Sequence, residues 1–267
     1  NAKKGELMGH VLTVVGLGPG GKEYLTLSAL EALKKSKRVL LRTKKHPTVT
    51  YLDFLGIHYE SFDFVYEEKE NFEEVYQTIV DNLVDMLHEE DVCYAVPGSP
   101  FVAENTVQLL IEKQKTEPFQ IEWVHAVSFI EAVLHALHKD PVSGLKIVDG
   151  LRLEEQLPDV ETDMIVTQVY NQMVASQVKL ALMEYYPDDH PILVVRAAGV
   201  PGEEKIQEIP LYELDRISWL DYLTSIYVPQ IEQDSLESCT MNHLLRIMKR
   251  LRTDCPWDAK QTHETLK

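Results

Sequence analysis

Val11-Leu12-Thr13-Val14-Val15-Gly16-Leu17-Gly18-Pro19-Gly20-Gly21 is the stretch on which the reading of the whole chain turns. An apolar, β-branched run stops abruptly in a glycine-rich turn, and a helical pattern follows over 26–35. The run lacks the polar alternation of a half-exposed strand, so it predicts a buried parallel strand. Gly16, Gly18 and Gly21 satisfy G-x-G-x-x-G, the dinucleotide fingerprint, which works when backbone N–H groups at a helix N-terminus hold a pyrophosphate. Here Pro19 removes one of those N–H groups, and several residues separate Gly21 from the first helical one. The next strand, ending at Leu41, runs into Arg42-Thr43 without an acid placed to hold a ribose hydroxyl. The turn therefore reads as a tight strand exit below a ligand site, not as a phosphate cradle.

Outward from this stretch, strand and helix signals alternate. Helix 26–35 leads to strand 37–41, helix 47–55 to an extended piece at Ser61–Val65, and helix 71–88 to strand 91–96. The last of these helices is the clearest, with Val75, Ile79, Leu83 and Leu87 repeating every four residues. After the turn Pro97-Gly98-Ser99-Pro100 come a helix from Phe101 to Lys115 and a strand at 119–124. Such alternation predicts parallel sheets covered by helices, the α/β class. A second α/β unit starts near Val127, with helices at 127–137 and 172–185 and strands at 146–148, 164–170 and 191–196. Lys205–Leu211 and Thr224–Val228 read as antiparallel strands, a hairpin at the sheet edge. The expected domains are 9–126, 127–229 and a different, helical tail over 230–267. Residues before Gly9 form a short polar lead-in.

The chain has 267 residues, 45% of them hydrophobic, and a formal net charge of −17. That charge argues against a nucleic-acid partner, which wants a basic surface. No apolar run approaches the roughly 20 residues of a membrane span, so no membrane role is expected. Cys93, Cys239 and Cys255 lie far apart without a C-x-x-C pair, which suits a reducing cytoplasm and argues against a zinc site or a disulfide framework. Glu67, Glu68, Glu70, Glu73 and Glu74 read as a solvated helix start, not a metal cluster.

In an open α/β sheet, ligands bind beyond the carboxyl ends of the strands. The candidate loops are Gly16–Gly21, Pro97–Phe101, His125–Ser128, Tyr170–Asn171 and Ala197–Gly202. Their small residues let a ligand approach the main chain, and their lack of charge points away from phosphate or metal chemistry.

At this point the loops become recognisable. Val14-Val15-Gly16-Leu17-Gly18-Pro19-Gly20 with Leu25-Thr26-Leu27-Ser28-Ala29 resembles the start of the tetrapyrrole methylase family of S-adenosylmethionine-dependent methyltransferases. Pro97-Gly98-Ser99-Pro100-Phe101-Val102 resembles its G-D-P-F-x-F loop. His125-Ala126-Val127-Ser128 stands where the family reads P-G-V-S, Val169-Tyr170 where it reads V-Y-M, and Val194–Pro201 resembles its final strand and A-T-x-P turn. The blocks run in order from Gly9 to Val228. Ser99, His125, Ala126, Asn171 and Gly199 depart from the pattern.

The resemblance implies two α/β units of tetrapyrrole-methylase type with the cofactor, S-adenosylmethionine, in a cleft between them, and a homodimer acting on a small-molecule acceptor. It implies cofactor contacts from Gly98, Ser99, Pro100, Val102, Val127, Ser128, Tyr170, Ala198 and Gly199. Gly18, Pro19, Gly20 and Phe101 would line the acceptor side, with an open acceptor space between the Gly16–Gly21 and Pro97–Val102 loops. No catalytic residue and no metal ligand is assigned. Plainer readings stand beside these: Tyr170 as strand-end packing, His125 as a satisfied strand-end histidine, Ser128 as a helix N-cap.

The tail carries an apolar stripe, Leu244, Leu245, Ile247, Met248 and Leu251, among Arg246, Lys249, Arg250 and Arg252. With Cys255-Pro256-Trp257-Asp258 and Gln261-Thr262-His263-Glu264-Thr265-Leu266 it resembles the opening of a MazG-type nucleoside triphosphate pyrophosphohydrolase. Asp258 and Gln261 suit a capping box. The pattern breaks off mid-element, so the natural chain is expected to continue into that hydrolase, where magnesium would belong. Two functions follow: a methyltransferase with an unidentified acceptor, or a non-catalytic ligand-sensing or scaffolding domain for the hydrolase.

Overall fold

The computed structural model describes residues 9–69, 71–231, 241–257, 260–262 and 265. The first sheet contains β1 (Val11–Gly16), β2 (Val39–Leu41), β3 (Glu60–Ser61), β4 (Val92–Val96) and β5 (Gln120–Val124). Its order is β3-β2-β4-β1-β5, so the stretch that opened the reading is a central strand. All its pairings are parallel, with Val14 opposite Tyr94 and Trp123. The first set of helices is α1 (Leu27–Lys35), α2 (Val49–Phe54), α3 (Asp63–Glu68), α4 (Phe72–Met86), α5 (Asn105–Lys113) and α6 (Phe129–Leu137).

Alternation along β1 sends side chains to two covered faces. Leu12 and Val14 join Tyr94 and Val96 under Val75, Ile79 and Leu83 of α4 and Val107 and Leu110 of α5. Val15 joins Leu41, Cys93 and Ala95 under Ala29 and Leu33 of α1 and Val49 and Leu52 of α2. Each such aliphatic side chain contributes on the order of 1.5–3 kcal/mol by leaving water. This two-sided burial is why β1 reads as an unbroken apolar run.

Two expectations are corrected in this half. Of the extended piece expected at Ser61–Val65 only Ser61 is strand, because the chain turns into α3 at Asp63. Phe62 and Val65 are buried while Phe64 is 48% exposed, so burial follows helical three-residue spacing and not strand alternation. The helix expected from Phe101 begins only at Asn105, because the Glu104 side chain caps it by accepting from the Thr106 amide. Phe101 to Ala103 remain in the turn, with Ala103 at φ +55°.

The second sheet holds β6 (Leu145–Asp149), β7 (Asp163–Thr167), β8 (Pro191–Arg196), β9 (Lys205–Pro210) and β10 (Thr224–Val228), in the order β6-β7-β10-β8-β9. It is mixed: β6 pairs with β7 in parallel, and β10 runs antiparallel to β7. The hairpin expected of 205–211 and 224–228 does not form, because all five residues of β10 are buried and the strand lies inside the sheet. The strand expected over 164–170 ends at Thr167, where Gln168 takes φ +62°. Helix α7 (Gln172–Met183) follows, capped by the Asn171 side chain.

By compactness, the chain up to Pro141 groups with Val194–Gln207, and Val142–Leu193 with the chain from Glu208 onward. Beyond β10, His190 Nε2 lies 2.8 Å from the Pro229 carbonyl, and the Gln230 and Ile231 amides donate to Asp163 and the Val160 carbonyl. Helix α8 (Met241–Asp254) carries the tail, with Leu244, Ile247, Met248 and Leu251 all exposed. Asp258, the proposed capping residue, lies outside the described residues, as does Glu70. Among the described residues no helix is long and apolar enough to cross a membrane, and no cluster of His, Cys, Asp or Glu suits a metal.

Candidate functional site

The site is built where β1, β2, β4 and β5 end. Gly16 closes β1 with no room to spare: a Cβ there would lie 2.4 Å from both the Ala126 Cβ and the Gly98 carbonyl oxygen, and 2.8 Å from Pro100 Cδ. The turn after β1 and the turn after β4 are joined directly. The Gly18 amide donates to the Gly98 carbonyl at 3.1 Å and the Gly98 amide to the Gly18 carbonyl at 2.9 Å. Gly18 sits at φ +78° with Tyr24 against it, and Gly20 presses on the Gly199 carbonyl. Gly98 differs. It takes φ +66°, and a Cβ there would meet no atom within 4 Å.

The two loops between which an open acceptor space is expected are thus bonded to each other at Gly18 and Gly98. The open side of these turns lies over Gly98. Ser99 begins the next bend, its carbonyl accepting from the Val102 amide at 3.1 Å. Pro100 is buried, Ser99 and Val102 half-buried, and Pro19 half-buried. Phe101 turns outward and packs on Trp123 of β5, ring centroids 4.8 Å apart.

Ser128 caps α6 in a full capping box: its hydroxyl and its amide both engage Glu131, the amide at 2.9 Å. The plainer reading of Ser128 thus accounts for its side chain. Val127 beside it is half-buried, and His125 is exposed, its carbonyl accepting from the Thr26 hydroxyl at 3.0 Å. At the turn after β8, Ala198 is buried and Gly199 takes φ +79° with the Tyr24 ring against it. The Gly199 amide donates to Glu204 at 2.9 Å. Tyr170 belongs to the second compact unit, where it stacks on Tyr222 with centroids 5.0 Å apart. Gly18, Pro19, Gly20, Gly98, Ser99, Pro100 and Gly199 are thus gathered in one place.

Several polar residues that sequence reasoning passed over also meet here. Glu104 is almost wholly buried and pairs with Arg42 at 2.5 Å. Arg42 Nε donates to the Tyr66 hydroxyl at 2.8 Å. Burial alone would lower the Arg42 pKa, but Glu104 and the neighbouring tyrosines outweigh it and hold the guanidinium charged. His46 is pushed down to about 4 by burial, against a hydrogen bond to Gly18, so it is neutral near pH 7. Elsewhere, on the second unit, a groove of about 390 Å³ runs between α7 and Leu153–Pro158, with Glu154 and Glu184 at its lining. None of the expected site residues lines it.

This assembly is a set of main-chain turns at strand ends. The chain belongs to the Tetrapyrrole (Corrin/Porphyrin) Methylases, whose model matches residues 11–215. Members of that family are S-adenosylmethionine-dependent methyltransferases. The chain is 43% identical over 262 residues to a Bacillus subtilis (strain 168) protein described as uncharacterized protein YabN, covering 97% of this chain and 53% of that one. It is 31% identical over 127 residues to a probable diphthine methyl ester synthase of Arabidopsis thaliana, covering 46% and 44%. It thus spans about half the length of these curated relatives. Among solved structures, uroporphyrin-III-C-methyltransferase from Thermus thermophilus superposes with a TM-score of 0.63 at 21% identity, covering 83% of this chain and 92% of that one. A diphthine synthase gives 0.61 at 16%, covering 82% and 90%. These two share the fold.

Proposed function

We propose that this chain binds S-adenosylmethionine on the Gly98 turn and transfers its methyl group to a small-molecule acceptor. The observation that carries the reading is Gly98: a left-handed glycine at the carboxyl end of a central strand, with free space where a side chain would be. Such a position lets a ligand reach the main chain. S-adenosylmethionine supplies an electrophilic methyl group on a sulfonium, already a good leaving group. What remains for the protein is to bind, orient and exclude water. Gly98, Ser99, Pro100 and Val102 would provide the platform, with Val127, Ser128, Ala198 and Gly199 as further contacts. Because the Ser128 hydroxyl and amide are both spent on Glu131, Gly98 and Ser99 carry more of the reading than Ser128 does.

We read the working form as a cytoplasmic homodimer, and the whole protein as a methylase joined to a MazG-type hydrolase that holds magnesium. A second reading, a sensing or scaffolding domain, draws support from the loop residues Ser99, His125, Ala126, Asn171 and Gly199, which depart from the family pattern. Titration with S-adenosylhomocysteine tests the first reading. At a hundredfold excess over Kd it should stabilise the chain by about 2.7 kcal/mol and raise Tm, while NAD and NADP should not. Binding without methyl transfer to any acceptor in a broad screen would favour sensing. Absence of binding would remove the methyltransferase and leave scaffolding.

A further inference from the structure

The segment from Arg42 to Thr48, between β2 and α2, holds none of the recognised motifs, yet it grips both site turns. At one end, Arg42 pairs with Glu104, the cap of α5 that follows the Gly98 turn. The other Glu104 oxygen accepts from the Thr106 hydroxyl at 2.7 Å, so that hydroxyl must accept from Tyr94 at 3.0 Å. At the other end, His46 Nε2 lies 3.0 Å from the Gly18 carbonyl oxygen. A carbonyl only accepts, so the proton sits on Nε2, and Nδ1 is left to accept from the Thr48 amide at 3.3 Å. The Thr48 hydroxyl is fully buried, 2.9 Å from the Gly20 carbonyl and 3.3 Å from that of Leu17. Three carbonyls of one short turn thus face this segment, and the same turn is bonded through Gly18 to Gly98.

We infer that Arg42, His46 and Thr48 are positioning residues, a brace that fixes the Gly98 turn at the height a bound ligand requires. The inference rests on the reading of Gly98 as the cofactor platform. The His46 and Thr48 side chains bond the turn after β1, which Gly18 joins to Gly98, while the Arg42 side chain holds the helix cap that follows the Gly98 turn. Loosening the brace should therefore free the turns before the sheet.

The test is amide hydrogen exchange on the unligated protein, with titration of S-adenosylhomocysteine beside it. In Thr48→Val, exchange at the Gly18 and Gly98 amides should rise about tenfold, the scale of one lost buried hydrogen bond, with the β4 amides changing less than about threefold. S-adenosylhomocysteine should bind about tenfold more weakly, and Thr48→Ser should restore both readouts. Should Thr48→Val not fold, His46→Leu, which removes the donor to Gly18, carries the same comparison. A uniform rise across turn and strand amides, or no change at the glycine pair, overturns the brace. If the wild type fails to bind S-adenosylhomocysteine, the functional reading falls, while the exchange pattern still decides the brace.

Discussion

At Gly20, a Cβ would stand 2.1 Å from the Gly199 carbonyl oxygen, whereas at Gly98 it would meet no atom within 4 Å. Both residues lie in turns that leave adjacent central strands, and both are glycines in the motifs that carry the family likeness. The glycine loop after β1 uses its missing side chains to let protein pack on protein: Tyr24 against Gly18, the Gly199 backbone against Gly20. The turn after β4 uses its missing side chain to leave a surface uncovered. Two glycines of one motif set thus serve different ends, architecture in the first turn and access in the second. A glycine in such a motif is evidence for a ligand only when the space beside it is free.

The sharpest way to break this comparison is Gly20→Ala. The new methyl group collides with backbone rather than with a flexible side chain, so the turn must shift. A loss of about 3 kcal/mol or more in urea unfolding is expected, at the upper range for overpacking. A loss under about 1 kcal/mol would mean the turn yields, and that its crowding is incidental.

The second effect comes from acid. His46 stands against the same turn with its pKa near 4, below the ordinary value of 6.5. Between those pH values the unfolded chain holds a proton that the folded chain refuses. Stability is therefore full above about pH 6.5 and falls as the pH drops toward 4, by about 3 kcal/mol in all. The difference between wild type and His46→Leu, followed by urea unfolding from pH 7 to pH 4, isolates this share from that of the carboxylates. An equal slope in both proteins would show that His46 is not held neutral.

Gly98→Ala is the smallest change in stability and the one that sharpens the contrast most. Space is available, so only the left-handed backbone opposes the substitution, at about 1–2 kcal/mol. Yet the methyl group would occupy the free surface, and S-adenosylhomocysteine affinity should fall at least about tenfold, read by calorimetry. An unchanged affinity would move the cofactor off this turn.

Much of this was legible in the sequence. The parallel core, the strand exit at Gly16 and the helix cap at Ser128 follow from local chemistry that a one-dimensional pattern records. The brace was not. Arg42, His46 and Thr48 follow a strand as the candidate loops do, but their partners Glu104, Gly18 and Gly20 stand 62, 28 and 28 residues away. Polar groups that satisfy one another across such separations leave no periodicity to read. The same holds for 61–65: its alternating apolar residues suit a strand, and only the burial of Phe62 and Val65 against the core selects the helix.

The place of β10 bears on how the chain is made. The first sheet uses strands that appear in synthesis between Val11 and Val124, so it can assemble while the rest is still being translated. The second sheet cannot. Its central strand, Thr224–Val228, is the last to emerge, and until it arrives β7 and β8 face each other across an unfilled slot. Such open edges invite pairing with foreign strands. A ribosome that stalls before Thr224 therefore releases a product with a finished first sheet and an adhesive second one.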